Sequence, residues 1–155
     1  MLEFNIYFEQ VLQQIEKKGV GVLATTYNAL PKTRMVSFVT YEDSIAFQTS
    51  SKLEKYAQIS QNDNIALCFS NINIQGKARI EEGKAINNKK FIELYKVKHH
   101  SSYKAYSKMD SNKVIKVIFE KIVLWIYEDG EPYRVFLDVV KKELKKEKYN
   151  HSNND

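Results

Sequence analysis

The sequence predicts a single α+β domain in which antiparallel strands close into a barrel and helices pack outside it. The chain has 155 residues, a usual length for one domain, and shows no internal repeat or linker. A helical stripe opens the chain, and short strand-like runs separated by turn residues follow it. Runs of strands with helices grouped outside them are typical of this class.

The first half of the chain reads as a helix followed by strands. Apolar side chains at helical spacing predict a helix over residues 3–18, which Gly19 ends. Strands rich in Val, Thr, Phe and Tyr follow over residues 20–27, 32–41 and 45–49. Pro31 lies in the turn between the first two, which makes them a hairpin. A short helix then continues through Gln61.

The middle of the chain returns to strands. Residues 65–70 are nearly all apolar, and residues 72–80 alternate between apolar and polar, so one face of that strand is buried. Gly76 and Ala78 on the buried face leave room for the close approach of another strand, a helix or a ligand. Helical spacing follows over residues 85–97.

The last third is less regular. An irregular polar segment is expected over residues 98–111, and a long strand-rich run over residues 114–127 changes its apolar face near Glu120, which indicates a bulge or bend. Residues 133–137 are a candidate for a last strand. We expect the domain to span residues 1–140, with a charged, frayed tail over residues 141–155.

Composition limits the function classes. A net charge of +5 favours anionic ligands without specifying nucleic acid, and much of the excess lysine lies in the tail. The single cysteine, Cys68, lies in an apolar run and reads as a core residue. No stretch approaches membrane-spanning length and no signal peptide opens the chain, so we expect a soluble, cytoplasmic protein.

A junction between strand and helix, residues 47–56, is the first candidate site. The hydroxyls of Thr49, Ser50 and Ser51 can cap the first turn of a helix, and Lys52 and Lys55 add positive charge there. Free N–H groups at a helix start attract anions, so the junction is a candidate phosphate site. An ordinary capped helix with solvated lysines explains the same residues, and from this stretch alone that simpler interpretation is favoured.

The chain carries no nucleophile motif, metal-ligand spacing or glycine-rich phosphate loop. His99 and His100 are adjacent and do not converge on one metal ion from a helix or an extended segment, so no metal is predicted. Any catalysis is therefore expected to be carried by a bound cofactor.

Several short motifs occur in a recognisable order. They are Gly21-Val22-Leu23-Ala24-Thr25, a turn ending in Pro31, Arg34-Met35-Val36-Ser37-Phe38, Phe47-Gln48-Thr49-Ser50, Lys55-Tyr56 and Ile74-Gln75-Gly76-Lys77-Ala78. This order resembles the pyridoxamine 5'-phosphate oxidase-like flavoproteins, which are FMN-binding split β-barrels. The resemblance covers roughly residues 15 to 127 and implies an antiparallel six-stranded split β-barrel with peripheral helices.

The resemblance also implies a set of FMN contacts. It assigns the phosphate to Arg34, Thr49 and Lys55, with Ser50 and Lys52 in support. It assigns the lining of the flavin ring to Met35, Val36, Ser37 and Gln48. It further implies that Asn71 reaches the cofactor and that the protein is a homodimer with FMN at the interface. Trp125 from the partner subunit is one candidate contact, and a core or interface tryptophan explains it equally well.

Departures from the family pattern narrow the activity that we expect. Glu54 and Val39 stand where the vitamin-pathway oxidases carry basic residues, and residues 131–155 have no counterpart of their substrate-recognising segment. We therefore expect an FMN-dependent oxidoreductase with a small-molecule electron donor and acceptor, related to the general stress and nitroimidazole-resistance-like proteins, and not a genuine pyridoxamine phosphate oxidase. The alternative is a non-enzymatic barrel that binds single-stranded nucleic acid, or that stores or senses haem or a flavin.

Overall fold

Helices and strands occupy most of the chain. The computed structural model describes residues 1–150. Four α-helical segments occur in this part: α1 (Leu2–Lys18), α2 (Glu54–Gln61), α3 (Lys89–Lys98) and α4 (His100–Ser102). A 3-10 turn covers Ala85–Asn87, and a π-helical turn covers Tyr103–Ser107. The strands are β1 (Val20–Tyr27), β2 (Leu30–Ser37), β3 (Val39–Tyr41), β4 (Ser44–Ser50), β5 (Asn64–Phe69), β6 (Ile72–Ile80), β7 (Asn112–Glu128), β8 (Glu131–Asp138) and β9 (Glu143–Lys148).

Helix α1 packs its apolar stripe on the sheet, as its periodicity predicts. Phe4, Val11 and Ile15 are buried along this stripe. Gly19 follows with a φ of 70°, a left-handed conformation that glycine adopts without steric cost, and its N–H donates to Ile15 O at 2.8 Å. The predicted end of the helix is confirmed.

All strands pair antiparallel in one sheet that curls into a split barrel. The main path is β2-β1-β5-β6-β7-β4-β3, and β8 pairs with β7 and β9. β7 is long enough to pair first with β4, through residues 112–117, and then with β8, through residues 121–128. This arrangement, with helices outside the sheet, confirms the predicted α+β split barrel.

A bulge lets β7 bend, as the shifted apolar pattern near Glu120 predicts. Gln75 pairs with Lys121, but the next residue, Gly76, pairs with Phe119, so Glu120 is the extra residue on β7. The two backbones approach closely here, because a Cβ atom on Gly76 would lie 2.2 Å from Ile118 O. The predicted close approach at Gly76 is therefore made by a neighbouring strand.

Two apolar clusters stabilise the fold. The larger one fills the barrel beneath α1 and includes Phe38, which packs edge-on against Phe47 and Phe69 with ring centroids 5.4 and 5.2 Å apart. The smaller one lies under α3 and includes Phe91 and Tyr95, whose rings stack at 5.0 Å. The second cluster anchors the helical layer to the outside of β3 and β4.

The strand count and the tail differ from the sequence prediction. Nine strands form instead of six, in part because the segment predicted as one strand over residues 32–41 bends at Phe38, whose N–H donates to Gly19 O at 2.7 Å. The tail predicted to fray contains β9, which pairs with β8, buries part of Leu144 and carries a Lys146–Glu128 ion pair of 2.6 Å. Charged side chains are common on such an edge strand. The remaining residues of that tail prediction, 151–155, lie outside the described part.

The segment over residues 98–111 was predicted to be irregular and is largely helical. It forms α4 and the π-helical turn, and Ser107 in that turn is fully buried. The spacing of apolar residues does not predict this helical structure, because its polar side chains bond to partners far along the chain. Ser107, for example, bonds to Gln48. Within residues 1–150, no helix is both long enough and apolar enough to cross a membrane.

Candidate functional site

The barrel is split between β2 and β4. β2 pairs with β1 along one edge, and no strand within residues 1–150 pairs with its other edge. β4 pairs with β3 only through residues 44–46, so the end of β4 is also unpaired on the side away from β7. The two strands contact each other without pairing. This β2–β4 cleft therefore exposes backbone hydrogen-bonding groups that a ligand can use.

Arg34 lies at the end of the cleft that is nearest α2. It pairs with Leu23 on β1, and its Nη1 donates to Thr25 Oγ1 at 2.6 Å. Its Nη2 donates to Gln58 Oε1 at 3.4 Å, and the Thr25 hydroxyl donates to the same oxygen at 2.5 Å. The guanidinium is thus oriented by neutral partners on β1 and α2.

Lys55 on α2 brings a second positive charge to Arg34. Burial lowers the pKa of Lys55, and the charge of Arg34 lowers it further. Burial also lowers the pKa of Arg34, while the carboxylate of Glu54 raises it in part. Neither cation forms an ion pair with a carboxylate in the described part of the chain, and Lys32 engages Glu54 at 2.5 Å. Two partly buried like charges that form no ion pair with a carboxylate in residues 1–150 fit an anionic ligand.

The hydroxyls of the junction do not cap α2, contrary to the sequence prediction. The helix starts at Glu54, with Leu53 as N-cap and no side-chain cap. Ser50 Oγ instead donates to Ser111 Oγ at 2.9 Å and accepts from the N–H of Lys52 at 3.2 Å. Ser111 thus holds Ser50 at the end of β4, and a turn separates Ser50 from the start of α2 at Glu54.

Thr49 is the junction residue that best fits a ligand contact. Its side chain is only 4% exposed, and its Oγ1 has no hydrogen-bond partner among residues 1–150. A buried hydroxyl without a partner is costly, so the position indicates an acceptor or donor that the protein itself does not supply. Lys52, in contrast, is exposed.

Three of the residues assigned to the flavin ring, Met35, Val36 and Ser37, divide between the two faces of β2, and Gln48 lies on β4. Met35 is 63% exposed, whereas Val36 is buried in the barrel core. Ser37 and Gln48 both lie beside the hydroxyl of Tyr95 on α3. Burial raises the pKa of Tyr95, and polar contacts with Ser102, Gln48 and Ser37 act in the opposite direction, so the hydroxyl stays protonated at neutral pH.

Asn71 and Trp125 hydrogen-bond to each other through the turn that follows β5. The Asn71 amide donates to Trp125 O at 2.8 Å, and Trp125 N–H donates to Asn71 O at 3.1 Å. Their contact with a cofactor stays a prediction.

Sequence reasoning missed three residues of this site. Thr25 and Gln58 hold Arg34, and Tyr95 joins Ser37 to Gln48. Thr25 carried one signal, because it is a polar residue on the inward face of a strand whose neighbours on that face are apolar. Gln58 and Tyr95 showed no signal in the sequence, since the residues that they contact are distant along the chain.

The curled antiparallel sheet, its outer helices and the β2–β4 cleft define a protein of the split β-barrel class. The sequence model for pyridoxamine 5'-phosphate oxidase matches residues 8–126, and the chain belongs to this family. The resemblance stated from the motifs is therefore confirmed. A search of curated proteins gave no match.

Solved structures of the same fold agree with this assignment. General Stress Protein 26 from Bacillus anthracis is 21% identical over 84% of this chain and 99% of its own, with a TM-score of 0.58. A pyridoxamine 5'-phosphate oxidase-related, FMN binding protein from Nostoc punctiforme is 14% identical over 94% of both chains, with a TM-score of 0.58. HutZ, the heme storage protein from Vibrio cholerae, is 9% identical over 75% of this chain and 92% of its own, with a TM-score of 0.61.

Proposed function

We propose that this protein binds FMN in the β2–β4 cleft and acts as a flavin-dependent oxidoreductase. The observation that carries the proposal is the pair of Arg34 and Lys55, two partly buried cations without a carboxylate partner in residues 1–150. Arginine grips a phosphate through paired N–H groups and lysine adds a point charge. The unpartnered Thr49 hydroxyl supplies a further contact.

The cleft suits the two ends of FMN. Arg34 and Ser37 lie roughly 10 Å apart along β2, so the phosphate and the ring contact different parts of the same strand. The unpaired edge of β2 offers backbone N–H and C=O groups between them. Bound FMN would supply the redox chemistry, accepting electrons from a small-molecule donor and passing them to an acceptor. The chain's own residues bind and orient it.

A homodimer forms part of the proposal. The outer face of β1, β5, β6 and β7 carries an apolar depression of about 550 Å³, lined by residues that include Val22, Ala66, Cys68 and Val123. Such a face suits a second copy of the chain. A dimer would also let Trp125 of one subunit approach the cleft of the other. We place the protein in the cytoplasm as part of the same proposal.

The test is a titration of the ligand-free protein with FMN, followed by flavin fluorescence and melting temperature. We expect quenching and a higher melting temperature, because a ligand that binds only the folded state stabilises it. Arg34→Ala should weaken FMN binding at least about tenfold, since charge-assisted hydrogen bonds contribute about 1.5–3 kcal/mol. Riboflavin, which lacks the phosphate, should bind wild type and Arg34→Ala equally. No binding of FMN by the wild-type protein would refute the proposal.

A binding barrel without catalysis is the second candidate, because the fold is shared with the heme storage protein HutZ. A histidine ligand would suit haem, but His99 Nε2 lies 2.8 Å from Phe38 O and is held by the protein itself. Absorption spectra after addition of hemin or of FMN separate the two candidates. A Soret band that shifts on titration, without flavin binding, would favour haem.

A further inference from the structure

Lys113 is a half-buried lysine near the start of β7 that has no partner within residues 1–150. Lys116, three residues further along the same strand, differs from it. Lys116 forms an ion pair with Glu42, and its Nζ lies 5.7 Å from the centroid of the Tyr41 ring. A lysine at the rim of a barrel can simply be solvated, so the surroundings of Lys113 must distinguish a ligand contact from a solvated side chain.

The strand register places Lys113 directly opposite Thr49 on β4. Side chains of paired residues in an antiparallel sheet lie on the same face, with Cβ atoms about 4.5–5.5 Å apart. Two residues away on this face, Phe47 pairs with Ile115, and both belong to the larger apolar cluster inside the barrel. Lys113 and Thr49 therefore end the inner face of these two strands.

The two side chains together provide donors without an acceptor. The Thr49 side chain is 4% exposed, and its Oγ1 has no hydrogen-bond partner among residues 1–150. A threonine hydroxyl donates one hydrogen bond and a lysine ammonium donates three, and the ammonium adds a positive charge. A buried hydroxyl and a cation on the same face match an anion that offers several oxygen atoms.

This pair lies at the same end of the barrel as Arg34 and Lys55. Arg34 pairs with the core residue Leu23, so it also extends from the inner face, and it contacts α2 through Gln58. β4 leads into α2 through the short turn after Ser50, which places the end of β4 near α2 as well. β2 and β4 border the split, and β7 is the neighbour of β4, so Lys113 lies about 4.8 Å, one strand spacing, beyond β4.

We propose that Lys113 is a third cation of the phosphate site and that it makes this site selective for a terminal phosphate with two negative charges. The inference rests on the proposed FMN binding, and Lys113 lies outside the motifs that indicated the cofactor. A phosphate monoester such as that of FMN carries about 1.5–2 negative charges at pH 7. The corresponding phosphate of FAD is a diester with one negative charge, so a third cation favours FMN over FAD.

The decisive variant is Lys113→Met, which removes the charge and keeps an unbranched side chain. We expect FMN to bind about tenfold more weakly and FAD about threefold more weakly, because the lost interaction depends on the charge of the phosphate. Riboflavin, which lacks the phosphate, should bind as it does to the wild type. Lys113→Arg keeps the charge and should retain the preference for FMN over FAD.

Lys108→Met is the matched control, because it makes the same change of net charge at an exposed position shortly before β7. It should match the wild type with all three flavins. Lys113→Gln, which keeps a polar side chain, provides a second test in case Lys113→Met does not fold, and it should give the same pattern. A purely structural role of Lys113 would weaken riboflavin binding as much as FMN binding, and that result would overturn the inference. An equal loss of FMN affinity in Lys108→Met would also overturn it.

The outcomes distinguish the inference from the proposed function. If the wild-type protein binds no flavin, both fall together. If the wild type binds FMN, and if the neutral variants of Lys113 bind FMN, FAD and riboflavin with wild-type affinity, only the inference falls.

Discussion

Two arginines of this protein have contrasting surroundings. Arg34 at the β2–β4 cleft has a second cation beside it, and its hydrogen bonds go to the neutral groups of Thr25 and Gln58. Arg134 on β8 lies over the rings of Trp125, Phe136 and Tyr149, with its Cζ atom 5.6, 5.3 and 5.4 Å from their centroids. Glu147 lies 3.8 Å from its Nη2.

Under the proposed function, Arg34 is a cation that binds a ligand, whereas Arg134 is a cation that stabilises the fold. The rings and Glu147 stabilise the charge of Arg134 within the chain, although its Nε has no partner among residues 1–150. The charges of Arg34 and Lys55 repel each other, and the carboxylate of Glu54 offsets this only in part. Substitutions at the two places should therefore have opposite effects on the stability of the ligand-free protein.

Arg134→Met should give the largest effect. Loss of three cation–π contacts, each contributing about 0.5–1 kcal/mol, should lower the free energy of unfolding by about 2 kcal/mol. Urea unfolding can be followed by the fluorescence of Trp125, the single tryptophan of the chain. The control is Lys141→Met, at an exposed position before β9, which should change stability by less than about 0.5 kcal/mol. Equal losses in both variants would mean that the rings do not stabilise Arg134.

Alkaline pH should weaken FMN binding in the cleft, and this effect should depend on Lys55. Because burial and Arg34 lower the pKa of Lys55 below its ordinary 10.5, the side chain loses its charge at a pH where free lysine keeps it. FMN affinity should therefore fall about tenfold as pH rises through the lowered pKa. Lys55→Met should bind FMN more weakly at neutral pH and lose this pH dependence. A Lys55→Met protein with the wild-type pH profile would contradict the assignment, because the ring ionises equally in both.

Lys55→Met should stabilise the ligand-free protein at neutral pH. A base with a lowered folded-state pKa destabilises the fold while it is protonated, so the destabilisation is present below the lowered pKa and disappears as pH rises through it. We expect a gain of about 0.5 kcal/mol, measured by urea unfolding, at pH 7 and none above the unfolded pKa. Lys52→Met, at an exposed position, is the control and should show no gain. Saturating FMN should reverse the order, with the wild type more stable.

Elements with a strong period could be predicted from the sequence, and contacts between distant segments could not. The stripe of α1, the alternation of β6 and the bulge at Glu120 are local patterns, and the structure confirms them. The start of α2 was missed because hydroxyls near a helix favour a cap, whereas here Ser111 bonds to Ser50. A partner so far along the chain leaves no trace in the local sequence.

The residues of the cleft also could not be brought together from local sequence patterns. Arg34 and Lys55 became a pair only through the order of the motifs, because no spacing rule joins β2 to a helix that follows β4. Gln48 accepts a hydrogen bond from Ser107, which lies in a turn without recognisable periodicity. Tertiary packing therefore determines which polar residues are left without partners, and these residues indicate the site.

Glu54→Gln should give the smallest effect, and it tests how the charge balance at the β2–β4 cleft affects FMN binding. The Glu54 carboxylate raises the pKa of Arg34, so it partly offsets the positive charge that attracts a phosphate. Its exposed pairing with Lys32 contributes at most about 1 kcal/mol to stability. Removing the charge should strengthen FMN binding about twofold to threefold, measured by fluorescence titration at low ionic strength, and the gain should shrink at high salt because salt screens exposed charges. Riboflavin affinity should not change, because it lacks the phosphate. A gain for riboflavin equal to that for FMN would show that Glu54 acts on the ring or on the fold, and not on the phosphate end of the cleft.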